Sequence, residues 1–259
     1  MTQQRQPTIL VERQDAVTTI RIDRPHVRNA LDRQTARDLS AAFRDFAADE
    51  MAAVAVLTGN GGSFCAGADL KELAGGVDYE PWATSDDGPT RPLLDKPVIA
   101  AVAGHACAGG LGLALWCDLR IAEESAVFGV FSRRWGVPMS DGTTVRLPRL
   151  IGMGRALDML LTGRAVSGRE AVEIGLASRL VPDGQALPAA QELARQMAAF
   201  PQTALRSDRQ SAYRQNGLPV DQALAQETAL AQAAREREAQ PGARRFAAGR
   251  GRHGSFDDL

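Results

Sequence analysis

Between Pro97 and Asp118 the chain reads PVIAAVAGHACAGGLGLALWCD. A β-type run from Val98 to Ala103 breaks at Gly104, passes through small residues and reaches Gly109-Gly110. It then becomes a helix of small and apolar residues, Leu111, Leu113, Ala114, Leu115 and Trp116. A strand that meets a helix through glycines leaves bare backbone N–H groups at the helix start, where helical donors have no partner and the peptide dipoles favour negative charge. A buried βα corner, with glycines for close packing, accounts for the same pattern.

The rest of the composition removes several function classes. With 259 residues the chain forms one large or two small domains. A net charge of −1 gives no basic field for nucleic acid, and 5% aromatic residues offer few platforms for single strands. Three cysteines, Cys65, Cys107 and Cys117, make no disulfide framework and fit a reducing, cytoplasmic setting. The opening MTQQRQPTILVERQD has no apolar signal core, and no run approaches the roughly 18 apolar residues of a membrane span. Three scattered histidines argue against a metal site.

Residues 8–13 and 16–22 alternate with β-branched side chains around Gln14-Asp15 and predict a hairpin. A helix follows to about Asp49, with Asp32 as N-cap and Leu39, Phe43 and Phe46 on one face. Val54 to Leu57 is a short buried strand, Gly59 to Gly67 a glycine-rich loop, and Asp69 to Leu73 a brief helix. Residues 75–92 have no period and are read as a mobile segment. Two short strands fall at 120–122 and 126–128. Beyond Asp141 the signals are helical, at about 143–150, 153–161, 168–174, 184–198, 202–215 and 221–236, with a peripheral tail from Pro241. One domain with a helical extension is the simplest reading.

The turns at Ser63–Asp69 and Gly104–Gly110 each follow a short strand. On adjacent parallel strands they would lie side by side, and N–H groups from both would converge on one oxygen as an oxyanion hole. Neither turn is a nucleotide loop, and no G-x-S-x-G elbow, C-x-x-C or H-E-x-x-H is present.

FCAGADLKEL at 64–73, KPVIAAVAGHACAGGLGLALWCDLRIA at 96–122, FGVFSRRWGVP at 128–138 and RLPRLIGMGRALDMLLTGRAVSGREAVEIGLASRLVP at 146–182 together resemble the enoyl-CoA hydratase/isomerase (crotonase) superfamily, as does RPHVRNAL at 24–31. The resemblance runs from about residue 8 to about 235. It implies an α/β fold, a crotonase-like spiral of ββα units over residues 1–200. A helical C-terminal oligomerisation region over 201–259 would belong to the same structural unit. It also implies a homotrimer or dimer of trimers, acyl-CoA thioesters as substrates, and no cofactor other than the coenzyme A of the substrate itself. Ala68 and Gly109 match the oxyanion-hole pair. Ala66, Asp69 and Leu70 match, through their backbone, the part that receives the adenine, and Lys71 and Arg28 match positions near the CoA phosphates.

The chain departs from the family at its catalytic glutamates. One lies three residues after the oxyanion glycine, where this sequence has Gly112; the other lies four residues after the phenylalanine of the FG motif, where it has Ser132. Each such group contributes about a hundredfold or more to catalysis, so ordinary hydratase chemistry is in question. Asp141 is the first replacement, since family isomerases and dehalogenases place an aspartate near this position; capping the next helix is its other reading. His105, one residue after the strand, is a second catalytic candidate; a histidine that packs or bonds to backbone is its other reading. Cys107 is read as a packing thiol, Trp135 as a wall of the acyl pocket, Glu123 and Glu124 as solvated, Arg133-Arg134 as a surface turn, and Asp86 and Asp87 as loop carboxylates within reach of the pocket. Two functions compete. One is a lyase or isomerase that stabilises an acyl-CoA enolate; the other is a non-catalytic acyl-CoA carrier or sensor. A purely structural subunit is a weaker third.

Overall fold

A computed structural model of the chain describes residues 6–76, 82–83 and 88–251. The first-half strands are β1 (Ile9–Gln14), β2 (Val17–Ile22), β3 (Val54–Gly59), β4 (Val98–Val102), β5 (His105–Cys107), β6 (Leu119–Glu123) and β7 (Val127–Gly129), followed later by β8 (Val166–Ser167) and β9 (Arg179–Val181). The helices are α1 (Arg33–Ala48), α2 (Leu70–Ala74), α3 (Gly109–Trp116), α4 (Thr143–Ile151), α5 (Met153–Thr162), α6 (Gly168–Glu173), α7 (Ala186–Ala198), α8 (Gln202–Arg214), α9 (Val220–Ala234) and α10 (Gln240–Ala247).

Six strands form one sheet in the order β1-β2-β3-β4-β6-β9, and β5-β7-β8 form a second. The β1–β2 hairpin is antiparallel, with Gln14 opposite Val17, and Asp15 takes a left-handed φ of 53° at its turn. Strands β2, β3, β4, β6 and β9 run parallel, in registers such as Val17 to Val54 and Ala55 to Val98.

The parallel strands read as continuous apolar runs because both faces of the sheet are covered. Ala55 and Leu57 of β3 and Val98, Ala100 and Val102 of β4 face one core with Leu39, Phe43 and Phe46 of α1 and Leu111 and Leu113 of α3. Val54, Val56, Ile99 and Ala101 face a second, smaller core filled by Ala190, Leu193 and Ala194 of α7. Asp32 caps α1 by accepting from the Thr35 amide at 2.8 Å, as its sequence position predicts. Helix α8 is tied to the first half through Asp118, whose Oδ1 accepts from Arg209 Nε and the Tyr213 hydroxyl, both at 2.8 Å.

Several expectations change. The small-residue turn after Gly104 contains the strand β5, and the helical second half contains β8 and β9. These segments are only two or three residues long, too short for a period to show. The tail from Pro241 is helical through Ala247. Within the stretch read as a mobile segment, Trp82 and Thr90 are buried; Asp86 and Asp87 lie outside the described residues. Glu123 is not solvated: it is buried, and its Oε1 accepts from the Gly184 amide at 2.9 Å and the Ala186 amide at 3.3 Å, at the start of α7. Glu124 is exposed and pairs with Arg169 at 3.1 Å.

Candidate active site

The first glycine-rich turn is held from behind by the Arg24–Leu31 segment. Asn29 is fully buried in a left-handed conformation, and its amide nitrogen donates to the Asn60 and Ser63 carbonyls while its Oδ1 accepts from the Arg24 amide. The Arg24 guanidinium bridges Asp32 at 3.2 Å and Asp69 at 3.1 Å and also donates to the Ala30 carbonyl. Leu31 donates to the Gly67 carbonyl and accepts from the Asp69 amide, each at 2.8 Å. These bonds flank Ala68. Alternation along an extended backbone turns the Ala68 N–H away from Leu31, and among the described residues it has no partner.

The second turn is pressed against the first. Cys65 donates to the His105 carbonyl at 2.8 Å, and Cys107 donates to the Cys65 carbonyl at 3.0 Å. A Cβ on Gly110 would lie 1.9 Å from the Cys65 carbonyl oxygen, and one on Gly67, at φ +100°, would lie 2.9 Å from the Gly109 nitrogen. The glycines are there because two backbones touch. Ala108 enters α3 at φ 49° and ψ −123°, a conformation that costs a non-glycine residue on the order of 1–3 kcal/mol. That turn aims the first N–H of α3, on Gly109, out of the helix; the first amide to bond back along the chain is Gly112, to Ala108 at 3.2 Å. Ala68 and Gly109, two donors without a partner among the described residues, therefore stand on adjoining turns, and the helix dipole adds to one of them.

In front of them lies a cavity of about 150 Å³. Arg28 of the supporting segment, Ala66 and Ala68 of the first turn and Leu70 of α2 line one side, and the second turn contributes His105, Cys107 and Gly109. Ser132, Trp135, Met139 and Asp141 close the far side. Trp135 is 70% exposed and stands at the rim. Two expected contact residues are not part of this lining. The Asp69 carboxylate is spent on Arg24 and on the amide of Lys71, at 3.1 Å, where it caps α2. Lys71 itself is exposed on α2. The Cys107 thiol is pushed up to about 12 by burial and leans on the Val127 carbonyl, so it packs rather than attacks.

Asp141 is 2% exposed, yet it borders the cavity. Its Oδ1 accepts from the Thr143 amide at 2.9 Å, so one oxygen serves the start of α4. Its other oxygen lies over Gly112: a Cβ on Gly112 would be 2.4 Å from the Asp141 Cγ and 2.6 Å from Oδ2. The carboxylate of the loop before α4 therefore fills the space above α3 that a side chain at position 112 would need. Burial pushes the Asp141 carboxyl above the usual carboxylate range, while the hydroxyl and amide of Thr143 and the Arg146 guanidinium pull it back. Ser132 is buried, and its hydroxyl donates to the Met139 sulfur at 3.3 Å.

Four contributors carried no role in the sequence reading. Trp82 lies against Gly109, where a Cβ would come within 2.5 Å of the indole. Arg146 donates to the Asp141 carbonyl at 3.1 Å and to the Thr90 carbonyl at 2.7 Å. Arg24 and Asn29 anchor the first turn. No periodicity marks any of them, because each works through contacts distant in sequence.

Comparison with known proteins gives the arrangement its family. The sequence model for "Enoyl-CoA hydratase/isomerase" matches residues 12–253. The chain is 40% identical over 195 residues to enoyl-CoA hydratase EchA19 of Mycobacterium tuberculosis, covering 73% of each chain. It is 36% identical over 229 residues to 2,3-dehydroadipyl-CoA hydratase of Escherichia coli, covering 86% of this chain and 88% of that one. The crystal structure of enoyl-CoA hydratase EchA1 from Mycobacterium marinum superposes with a TM-score of 0.88 at 34% identity, covering 94% of this chain and 96% of that one. The chain belongs to the enoyl-CoA hydratase/isomerase family.

Proposed function

We propose that this protein is an acyl-CoA enzyme in which Asp141 replaces the carboxylates absent at positions 112 and 132, and that it moves protons on an enolised thioester. One observation carries this reading: the Asp141 carboxyl stands over Gly112, within 2.4 Å of where a Cβ would be.

The thioester oxygen sits between the N–H groups of Ala68 and Gly109. As Asp141 takes a proton from the carbon next to the carbonyl, the electron pair moves onto that oxygen, where fixed donors meet the developing charge without reorganising. With a β,γ-enoyl thioester the dienolate regains a proton at the γ carbon from the same carboxyl, and the double bond moves into conjugation. One carboxyl suffices for this transfer. Adding water across the double bond needs a second group to activate it, and the Ser132 hydroxyl, turned to the Met139 sulfur, is a poor base. Isomerisation, or a related lyase step through the same enolate, is therefore favoured over hydration. The hydratase names of the relatives make hydration the reaction to run beside it.

Coenzyme A enters past Arg28, Ala66 and Leu70, and the backbone of Ala66 to Leu70 receives the adenine. Arg28 and Lys71 approach the phosphates from the exposed side. A homotrimer or dimer of trimers suits the exposed Val145, Leu150, Met153, Leu157 and Leu161 of α4 and α5. Among the described residues no helix is long and apolar enough to cross a membrane.

The test compares the chain with its Asp141→Asn variant on trans-2-enoyl-CoA hydration and on conversion of 3-enoyl-CoA to 2-enoyl-CoA. The expected result is isomerisation in the parent chain, lost by on the order of a hundredfold or more in the variant, with affinity changed little. Turnover unaffected by Asp141→Asn overturns the assignment. Tight acyl-CoA binding with no turnover of either kind points to the carrier or sensor reading.

A further inference from the structure

The geometry points to Arg146 as a positioning residue for Asp141, a tie that fixes the turn bearing the carboxyl to the helix that carries the Gly109 donor. This inference rests on the reading of Asp141 as the base. Arg146 lies on α4 and does not line the cavity in front of the two donors. Its guanidinium spends two nitrogens on two carbonyls: Nη1 donates to Asp141 at 3.1 Å and Nη2 to Thr90 at 2.7 Å. Thr90 is fully buried, and a carbonyl in such a place needs a donor.

The far end of the tie is firm. Two residues beyond Thr90, the Pro92 carbonyl accepts from Trp116 Nε1 at 2.7 Å. Trp116 is the last residue of α3, and Gly109 is the first. The Trp116 ring is itself wedged edge-on against Phe43 of α1, with 4.6 Å between centroids. A path of hydrogen bonds and short backbone segments therefore runs from the Asp141 turn, through Arg146, to the oxyanion helix. Thr143 holds the carboxyl to α4 through Oδ1; Arg146 holds the entry of α4 to α3. Gly142 makes this possible. It takes a left-handed φ of 87°, and a Cβ there would overlap the Arg146 Nη1. Docking of α4 does not depend on the arginine, because Leu147 and Ile151 already bury its inner face in the core.

The charge acts with the position. Burial raises the Asp141 carboxyl, and the Arg146 guanidinium works in the opposite direction. The other charged or titratable groups around this carboxyl are Arg28 and His105, which border the same cavity, and Cys65, whose thiol the Asp141 charge helps to raise. Lysine is a poor substitute for Arg146, since a single ammonium lacks the planar fork that reaches two carbonyls at once.

Isomerisation of 3-enoyl-CoA to 2-enoyl-CoA, followed against pH in the full chain, tests the tie. Arg146→Ala is expected to lower kcat by about tenfold to a hundredfold while KM changes by less than about threefold, because a displaced reacting group costs turnover rather than binding. The acidic limb of its kcat/KM profile should move to higher pH, since removing a cation raises a nearby carboxyl. Arg146→Lys keeps the charge, so its limb should stay at the parent position, with a loss in kcat smaller than that of Arg146→Ala. In an Asp141→Asn background, Arg146→Ala should change the residual rate by less than about threefold, as expected of two residues that act as a unit. A folded Arg146→Ala protein with the parent kcat and pH profile overturns the inference, as does an equal loss in both backgrounds. If Arg146→Ala does not fold, Arg146→Lys decides alone, and an unchanged kcat there overturns it. Turnover undiminished by Asp141→Asn, or no turnover in the parent chain, overturns the base itself and this inference with it.

Discussion

Gly112→Ala reverses an ordinary rule and so tests the placement of Asp141. Inside a helix, glycine to alanine normally stabilises by about 1 kcal/mol. Here the new methyl would lie 2.4 Å from the Asp141 Cγ, 2.6 Å from its Oδ2 and 2.9 Å from its Cβ, where carbon contacts settle at about 3.5–4.0 Å. The carboxyl has to retreat by roughly an ångström, yet it is 2% exposed and bonded to the Thr143 amide. Overpacking of this kind costs about 1–3 kcal/mol, and losing a hydrogen bond to a charged group adds about 1.5 kcal/mol. After the helix gain is subtracted, the net effect is a loss of about 1.5–3.5 kcal/mol. For a chain of this size each kcal/mol corresponds to about 2–4 °C in the unfolding midpoint. Urea denaturation of Gly112→Ala in the parent and in an Asp141→Ala background isolates the clash as a double-mutant coupling. In the second background the two shortest contacts are gone, and the penalty is expected to shrink by about 1 kcal/mol or more. Because misplacing a reacting group by an ångström lowers turnover about a hundredfold, activity should fall further than stability. A Gly112→Ala protein more stable than its parent, or equally destabilised in both backgrounds, refutes the geometry.

Other outcomes are as definite. The Asp141 carboxyl is raised above its ordinary value of 3.8, so the folded state holds its proton more tightly than the unfolded one. Stability therefore declines as pH rises from that value through the raised folded value, and Asp141→Asn should remove this decline in urea titrations across the window. The acidic limb of kcat/KM should lie above the ordinary carboxylate range, because only the ionised form takes a proton. Arg24→Ala leaves Asp32 and Asp69 without their shared cation and should destabilise by about 3 kcal/mol in chemical denaturation; a loss under 0.5 kcal/mol would mean the network is solvated. Cys65 and Cys107, their thiols raised to about 12 by burial, should resist iodoacetamide at pH 8 until the chain is unfolded. Fast labelling of Cys107 in the native protein would reopen its nucleophilic role.

The sequence by itself carried what depends on neighbours along the chain. The Gln14-Asp15 hairpin, the Asp32 cap and the strand–glycine–helix of 97–118 are local patterns, and each forms as its residues require. The two glycine-rich turns announced a pair of donors, since glycine is needed where Gly110 meets Cys65 and Gly67 meets Gly109. The absence of carboxylates at Gly112 and Ser132 was equally plain. Tertiary structure decided the rest. Sequence alone left Asp141 between a helix cap and a base; the fold puts Oδ1 on the Thr143 amide, as a cap would, and Oδ2 over Gly112, where the proposed base would act. Trp82, placed within a patternless segment, is buried against a glycine 27 positions away. Glu123 ends a strand where a solvated charge would be expected, but the turn into α7 folds back and places two amides on it. Periodicity records which face of an element is buried. It does not record which distant backbone arrives there, and in this protein those arrivals set the position of the carboxylate.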